Sequence, residues 1–269
     1  MFYFLLSEAS KLIKDKIRLV KFQLIVFTLL TALVFGACSS SDKTDIQTDD
    51  PAKAFQVAKK NYDKKDYLQS IEDFSYMKIK FSGSPVSDKA QYYLAMSYLK
   101  REEFILAAYE FEYLLKNYVT SPLAADARYQ LAMCYLGLSP RYNLDQTYTL
   151  YAINEFKTFL ELYPNDKNAP EADKKILELR DKLAYKELKS GDLYYVMDNY
   201  RASIIYYDNV LSEYFETQYA DDALCGKIQA LVTKKKYEEA KKEIARFELK
   251  FPKSNLLNKV LILKRSIPS

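Results

Sequence analysis

Apolar residues along most of this chain recur at the three- and four-residue spacing of helices, and one arrangement returns after 37 residues. The segment Leu-Ala-Met-Ser-Tyr-Leu at 94–99 reappears as Leu-Ala-Met-Cys-Tyr-Leu at 131–136. Segments 58–85 and 95–122 align without gaps, with matched small and aromatic residues and a final proline. A single helix pair cannot bury its apolar face alone, so such repeats must stack. The pattern therefore predicts an all-α protein made of stacked helix pairs.

The order of small residue, tyrosine, small residue, aromatic residue and proline resembles the tetratricopeptide repeat. The resemblance implies a tetratricopeptide-like α-solenoid of five helix-pair repeats with a C-terminal capping helix, spanning 51–269. We expect repeats at about 51–85, 86–122, 123–167, 168–218 and 219–252, and the cap at 254–266. Turn-forming residues mark the breaks between repeats. The third repeat has extra residues between its helices, within 139–147.

The first 37 residues have the layout of a secretory signal. A basic region precedes an uncharged apolar run at 22–35, which is followed by Gly36, Ala37 and Cys38. The run is shorter than the roughly 20 residues that span a bilayer. Small residues directly before Cys38 resemble the lipobox, which implies cleavage after residue 37 and lipidation of Cys38. The alternative is an uncleaved amphipathic anchor with an incidental cysteine. The polar segment 38–50 is expected to be a flexible tether.

Charge and composition argue against nucleic acid and catalysis. The net charge of +4 falls to +1 when the five basic and two acidic residues of 1–37 are removed, so no nucleic-acid partner is expected. The chain has no histidine, and it has no nucleophile set, phosphate loop or metal-ligand spacing. We therefore expect no enzyme activity, no cofactor and no metal. Cys134 and Cys225 are predicted to be buried free thiols, with a redox pair as the alternative.

Three local segments resemble the BamD family, the lipoproteins of the outer-membrane β-barrel assembly machine. They are the 139–147 insert with 152–156 and Tyr163-Pro164, the long helix with 183–187 and 191–195, and 200–204 with 214–219; Phe215 departs from the proline usual there. The resemblance implies a non-enzymatic scaffold, anchored to the outer membrane and facing the periplasm. Its C-terminal repeats would bind the POTRA domains of a BamA-like β-barrel insertase, and its N-terminal repeats would bind unfolded outer-membrane protein clients. Other readings are a tetratricopeptide lipoprotein adaptor for cell-wall or division enzymes, which would lack the insert, and a longer glycan-binding lipoprotein.

Tetratricopeptide arrays present the first helix of each pair to a groove that binds peptides. Counted from the small residue of each repeat, the predicted groove residues are Phe55, Lys59, Tyr62, Tyr92, Met96, Tyr129 and Met133. Aromatic and methionine side chains would give an adaptable surface for an apolar client peptide. Lys59 would meet the terminal carboxylate of that peptide. The alternative is that these side chains pack between repeats.

Overall fold

The computed structural model describes residues 44–268, so the predicted signal segment and Cys38 lie outside the described residues. The described residues contain eleven α-helices and no β-strand. The helices are α1 (Pro51–Asp63), α2 (Tyr67–Lys80), α3 (Ser87–Lys100), α4 (Phe104–Asn117), α5 (Ala124–Leu138), α6 (Thr147–Leu162), α7 (Ala169–Val196), α8 (Tyr200–Glu213), α9 (Ala220–Thr233), α10 (Tyr237–Lys250) and α11 (Leu257–Arg265). The ten helices α1–α10 form five consecutive pairs, and α11 packs against α9 and α10. The predicted solenoid with a C-terminal cap is confirmed.

The turn inside each pair has one conformation in repeats one, two, four and five. One residue in each of these turns has a positive φ of 58–65°: Lys65, Glu102, Asp198 and Lys235. In the first repeat, Lys65 N–H donates to Tyr62 O and Asp66 N–H to Asn61 O, the two bonds of a Schellman motif. None of the four turns uses glycine, so each holds a side chain in the left-handed region at a cost in free energy.

The third repeat differs because the insert separates its helices. The lysines of α7 hold this insert: Lys182 Nζ donates to Ser139 Oγ and to Pro140 O, and Lys186 Nζ donates to Leu144 O at 2.6 Å. Burial lowers the pKa of Lys182. The 28-residue helix α7 continues from the third repeat into the fourth as its first helix. The insert therefore lies against the middle of the helix that joins the two halves of the array.

Buried side chains form four clusters that follow the chain, each shared by neighbouring pairs. The eighth residue of the second helix supplies a large buried side chain in several repeats, as Phe74, Phe111 and Tyr207. Small residues lie four positions earlier, for example Ser70 and Ala107, and let the paired helices approach. The repeat pattern in the sequence is therefore a packing pattern.

Residues 45–50 are packed onto the first repeat, so the prediction of a flexible tether is wrong for this part. Ile46 is 5% exposed and joins the first core cluster. Asp45 accepts a hydrogen bond from Asn61 Nδ2 at 3.0 Å, and its backbone N–H donates to Asp73 Oδ1 at 2.9 Å. Asp50 caps the N-terminus of α1. Composition suggested a tether because the segment is polar, but one apolar side chain and the buried Asp73 anchor it.

Within residues 44–268, no helix is both long and apolar enough to cross a membrane.

Candidate functional site

The first helices of the pairs are α1, α3, α5, α7 and α9, and α1 contacts α3 as α7 contacts α9. We call the surface of these first helices the A-helix face. Tyr93 is the centre of an aromatic cluster at its N-terminal end. The ring centroid of Tyr93 lies 5.8 Å from that of Phe55, 5.1 Å from Tyr62 and 5.8 Å from Phe74. The ammonium of Lys59 lies 4.9 Å from the centre of the Tyr93 ring. Three predicted groove residues, Phe55, Lys59 and Tyr62, are thus brought together around a tyrosine that was not predicted.

Lys59 is paired within its own helix. Its Nζ donates to the carboxylate of Asp63, and it lines a surface depression of about 380 Å³ together with Phe55. Burial, with smaller contributions from Tyr67, Tyr93, Asp63 and Asp126, raises the pKa of Tyr62 to about 12. The depression is lined by Phe55, Gln56, Asp63 and three lysines, Lys59, Lys60 and Lys64. A ligand carboxylate that binds Lys59 would have to replace Asp63.

Tyr92 lies between repeats rather than on the surface. It is 7% exposed, its ring meets that of Phe111 edge-on, and its hydroxyl donates to Asp126 on α5. Burial, followed by this hydrogen bond, raises the pKa of Tyr92. These contacts are those of inter-repeat packing, the alternative given above for this residue.

The remaining predicted groove residues, Met96, Tyr129 and Met133, are half-buried. The ring of Tyr129 packs against Phe156 at 5.8 Å and Phe159 at 5.5 Å, and the two methionines pack on the neighbouring core clusters. They continue the A-helix face along α3 and α5 with part of each side chain exposed. Tyr93 directly follows the predicted groove residue Tyr92, so the sequence could have suggested it as part of the site. No sequence pattern indicated that Asp126 would accept a hydrogen bond from Tyr92.

A second concavity, which we call the C-terminal pocket, lies between α7, α9 and α11. It has a volume of about 400 Å³ and is lined by tyrosines, two aspartates and two lysines: Tyr185, Tyr195, Tyr207, Tyr219, Asp192, Asp222, Lys189 and Lys259. The buried ring of Tyr207, from α8, packs against Gly191 of α7 and Gly226 of α9 at the bottom of the pocket. It fits there because the two glycines have no side chains. The sequence-based prediction did not include this pocket.

The carboxylates of the C-terminal pocket have different surroundings. Asp192 accepts hydrogen bonds from Tyr207 Oη at 2.9 Å and from Lys189 Nζ at 3.0 Å, and the latter raises the pKa of Lys189. The pKa of Asp222 is raised by burial and then by the nearby charges of Asp221 and Asp192. Asp192 is thus paired with a cation, whereas Asp222 forms no direct ion pair with the described residues.

Both described cysteines are free and buried, as predicted. Burial raises the pKa of the Cys134 thiol to about 12 and also raises that of Cys225. Thiols of this kind are poor nucleophiles at neutral pH. Among residues 44–268, no group of three or more cysteine, aspartate or glutamate side chains is arranged to hold a metal ion.

Five stacked helix pairs with small and aromatic residues at matched positions define a tetratricopeptide-like solenoid protein. The chain belongs to the YfiO family of outer membrane lipoproteins, whose sequence pattern matches residues 47–232. The family resemblance seen in the sequence is confirmed.

One relative of known role and two solved structures are similar to this chain. The outer membrane protein assembly factor BamD of Rickettsia prowazekii (strain Madrid E) is 25% identical over 232 residues, which cover 86% of this chain and 92% of the relative. A TPR repeats protein from Bacteroides fragilis NCTC 9343 is 14% identical with a TM-score of 0.39, covering 82% of this chain and 88% of the other. A tetratricopeptide repeat protein from Parabacteroides merdae ATCC 43184 is 11% identical with a TM-score of 0.25, covering 80% and 98%.

Proposed function

We propose that this chain is a lipid-anchored, non-enzymatic scaffold that takes part in outer membrane protein assembly. The observation that carries the proposal is the similarity to an outer membrane protein assembly factor over 92% of that protein's length. The aligned family region, 47–232, begins before the first helix pair and ends within α9 of the fifth. The shared part is therefore most of the repeat array rather than a single helix pair.

In this proposal Cys38 carries the lipid and holds the array at the periplasmic face of the outer membrane. Acyl chains on one cysteine supply the two hydrophobic anchors that stable attachment requires. The C-terminal repeats engage the POTRA domains of a β-barrel insertase, and the N-terminal A-helix face engages unfolded clients.

The aromatic cluster around Tyr93 supports the client part of the proposal. Phe55 and Tyr62 are half-buried, so each keeps apolar surface available to a peptide. The ion pair between Lys59 and Asp63 is partly exposed and lies within one helix. Such pairs contribute at most about 1 kcal/mol, so a ligand carboxylate can compete for the ammonium at little cost.

The first test is affinity purification of the tagged full chain from detergent-solubilised outer membranes, followed by mass spectrometry. We expect a POTRA-bearing β-barrel protein in near-stoichiometric amount. Recovery of cell-wall or division enzymes in its place would refute the assembly role and favour the adaptor reading. Labelling with a palmitate analogue, compared with Cys38→Ser, tests the anchor separately, since unlabelled wild-type protein would rule out lipidation whatever proteins are recovered.

Client binding is tested with one apolar peptide ending in phenylalanine, prepared as the free acid and as the C-terminal amide. We expect Lys59→Gln to weaken binding of the acid several-fold and to leave the amide unchanged. Lys53→Gln, an exposed change on the same helix, is the matched control. Equal effects of Lys59→Gln on acid and amide would exclude contact between this lysine and the peptide carboxylate.

A further inference from the structure

The C-terminal pocket has an aromatic wall. Tyr185 belongs to α7, and Tyr219 directly precedes α9. Their ring centroids lie 5.2 Å apart with an interplanar angle of 44°. The hydroxyl of Tyr195, further along α7, is fixed by a hydrogen bond from Gln229 Nε2 at 3.0 Å. Aromatic faces carry negative electrostatic potential and attract cations.

Two carboxylates lie beside this wall. Asp192 and Asp222 come from different helices, and the charge of Asp192 is close enough to raise the pKa of Asp222. Among residues 44–268, Asp222 forms no ion pair within 4.0 Å, whereas Asp192 pairs with Lys189. Asp222 is therefore an exposed carboxylate beside an aromatic surface, with no direct ion pair to a described residue although Lys189 and Lys259 lie near enough to lower its pKa.

The pocket already holds a cation of its own. The ammonium of Lys189 bonds to Asp192 and lies 5.4 Å from the centre of the Tyr185 ring. This arrangement of ammonium, carboxylate and tyrosine is what a cation-binding site requires. The Lys189 side chain is 43% exposed, so it can turn into solvent when another cation enters.

Lys259 on α11 is the opposing charge. It lines the same pocket and lowers the pKa of Asp222, but its effect is smaller than those of burial, Asp221, Asp192 and Lys189. Lys259 is exposed, and no ion pair holds it to the described residues. A flexible exposed ammonium of this kind can move into water when a cationic ligand approaches. When the two lysines turn into solvent, the aromatic rings and the two carboxylates that line the pocket favour a cation over an anion.

We propose that the C-terminal pocket receives an arginine side chain from a partner polypeptide. The guanidinium lies on the Tyr185 and Tyr219 rings and donates hydrogen bonds to Asp222. Arginine fits better than lysine because its flat guanidinium stacks on aromatic rings and bonds a carboxylate through two N–H groups. The pocket volume of about 400 Å³ lies within the range of sites that enclose a ligand group. The inference stands on the pocket alone and does not depend on the proposed assembly role.

The test uses the full chain and two short peptides, acetyl-Ala-Arg-Ala-amide and acetyl-Ala-citrulline-Ala-amide. Citrulline has a neutral urea, in which a carbonyl oxygen replaces one NH2 group of the charged guanidinium. We expect ligand-observed NMR to give at least tenfold tighter binding of the arginine peptide. Asp222→Asn should bring this ratio close to one. Asp173→Asn, which removes an exposed charge from α7 outside the pocket, should leave the ratio unchanged.

A second variant should bind the arginine peptide more tightly, a gain that misfolding would not produce. Lys189→Gln removes the internal cation and should tighten binding of the arginine peptide several-fold, whereas Lys174→Gln on the same helix should not. Equal binding of the two peptides by the wild-type chain would overturn the proposal. So would an unchanged ratio in Asp222→Asn, or tighter binding of acetyl-Ala-Glu-Ala-amide.

Discussion

Substitution of Gly226 by alanine tests the packing that forms the floor of the C-terminal pocket. A Cβ at this position would lie 2.5 Å from Tyr207 Cζ and 2.9 Å from two other ring carbons. Carbon atoms in contact are normally about 3.5–4.0 Å apart, so the ring would have to retreat by roughly 1 Å. Tyr207 is 2% exposed, a Cβ at Gly191 would also meet its ring, and its hydroxyl is bonded to Asp192. The ring therefore has little room to move.

The magnitude follows from two opposing effects. Overpacking a filled site costs about 1–3 kcal/mol, and this site belongs near the upper end because the ring is held from several sides. Alanine in place of glycine inside a helix stabilises by about 1 kcal/mol. We expect Gly226→Ala to lower the free energy of unfolding by about 1–2 kcal/mol, which is a fall of roughly 2–8 °C in melting temperature for a domain of this size.

The assay is urea denaturation followed by circular dichroism, arranged as a double-mutant cycle with Tyr207→Leu. Removing the ring removes the clash, so Gly226→Ala should become stabilising by about 1 kcal/mol in that background. Gly137→Ala is the matched control, because the atoms nearest to a Cβ there belong to the half-buried ring of Phe104, which can turn aside. If Gly226→Ala has the same effect with and without the Tyr207 ring, the reasoning is refuted.

Three further predictions rest on particular residues. Lys235 has a φ of 59°, so Lys235→Gly should give a protein about 1–2 kcal/mol more stable than the adjacent control Lys234→Gly in thermal denaturation. Cys134 should not react with a thiol reagent at pH 8 in the folded protein and should react at once in urea; rapid reaction of the native protein would contradict its burial. Arg180 lowers the pKa of Glu216, so this pair stabilises above the unfolded-state value of 4.5 and loses its effect as pH falls through the lowered pKa. Glu216→Gln should therefore reduce stability at pH 7, by under about 1 kcal/mol, and match the wild type once the pH is below the lowered pKa of Glu216; a difference that persists in stronger acid would exclude this linkage.

The repeat architecture could be predicted because its causes are local. A small residue four positions before a large aromatic one, as in Ser70 and Phe74, makes a helix that can pack closely on one side. The same spacing repeated at Ala107 and Phe111 indicates a stack rather than a single pair. The absence of glycine and proline inside these segments leaves the helices uninterrupted.

The candidate sites were predicted less completely. Counting along the repeat assigned Phe55, Lys59 and Tyr62 to a peptide groove together with Tyr92, but it could not separate these half-buried residues from the buried Tyr92. All four occupy the first helices of their repeats, and exposure depends on what the neighbouring repeat brings against each one. For Tyr92, that neighbour is Asp126, 34 residues away.

By itself, the sequence determined the helices, their pairing and the order of the stack, because periodicity and turn chemistry act over a few residues. Only the tertiary structure decided that Ile46 closes the first core and that Asp192 and Asp222 face a common pocket. Those contacts join residues about 30 apart or bring a third element, α11, against two others. Their positions depend on the small rotation between successive repeats, which side-chain packing sets and no local pattern encodes.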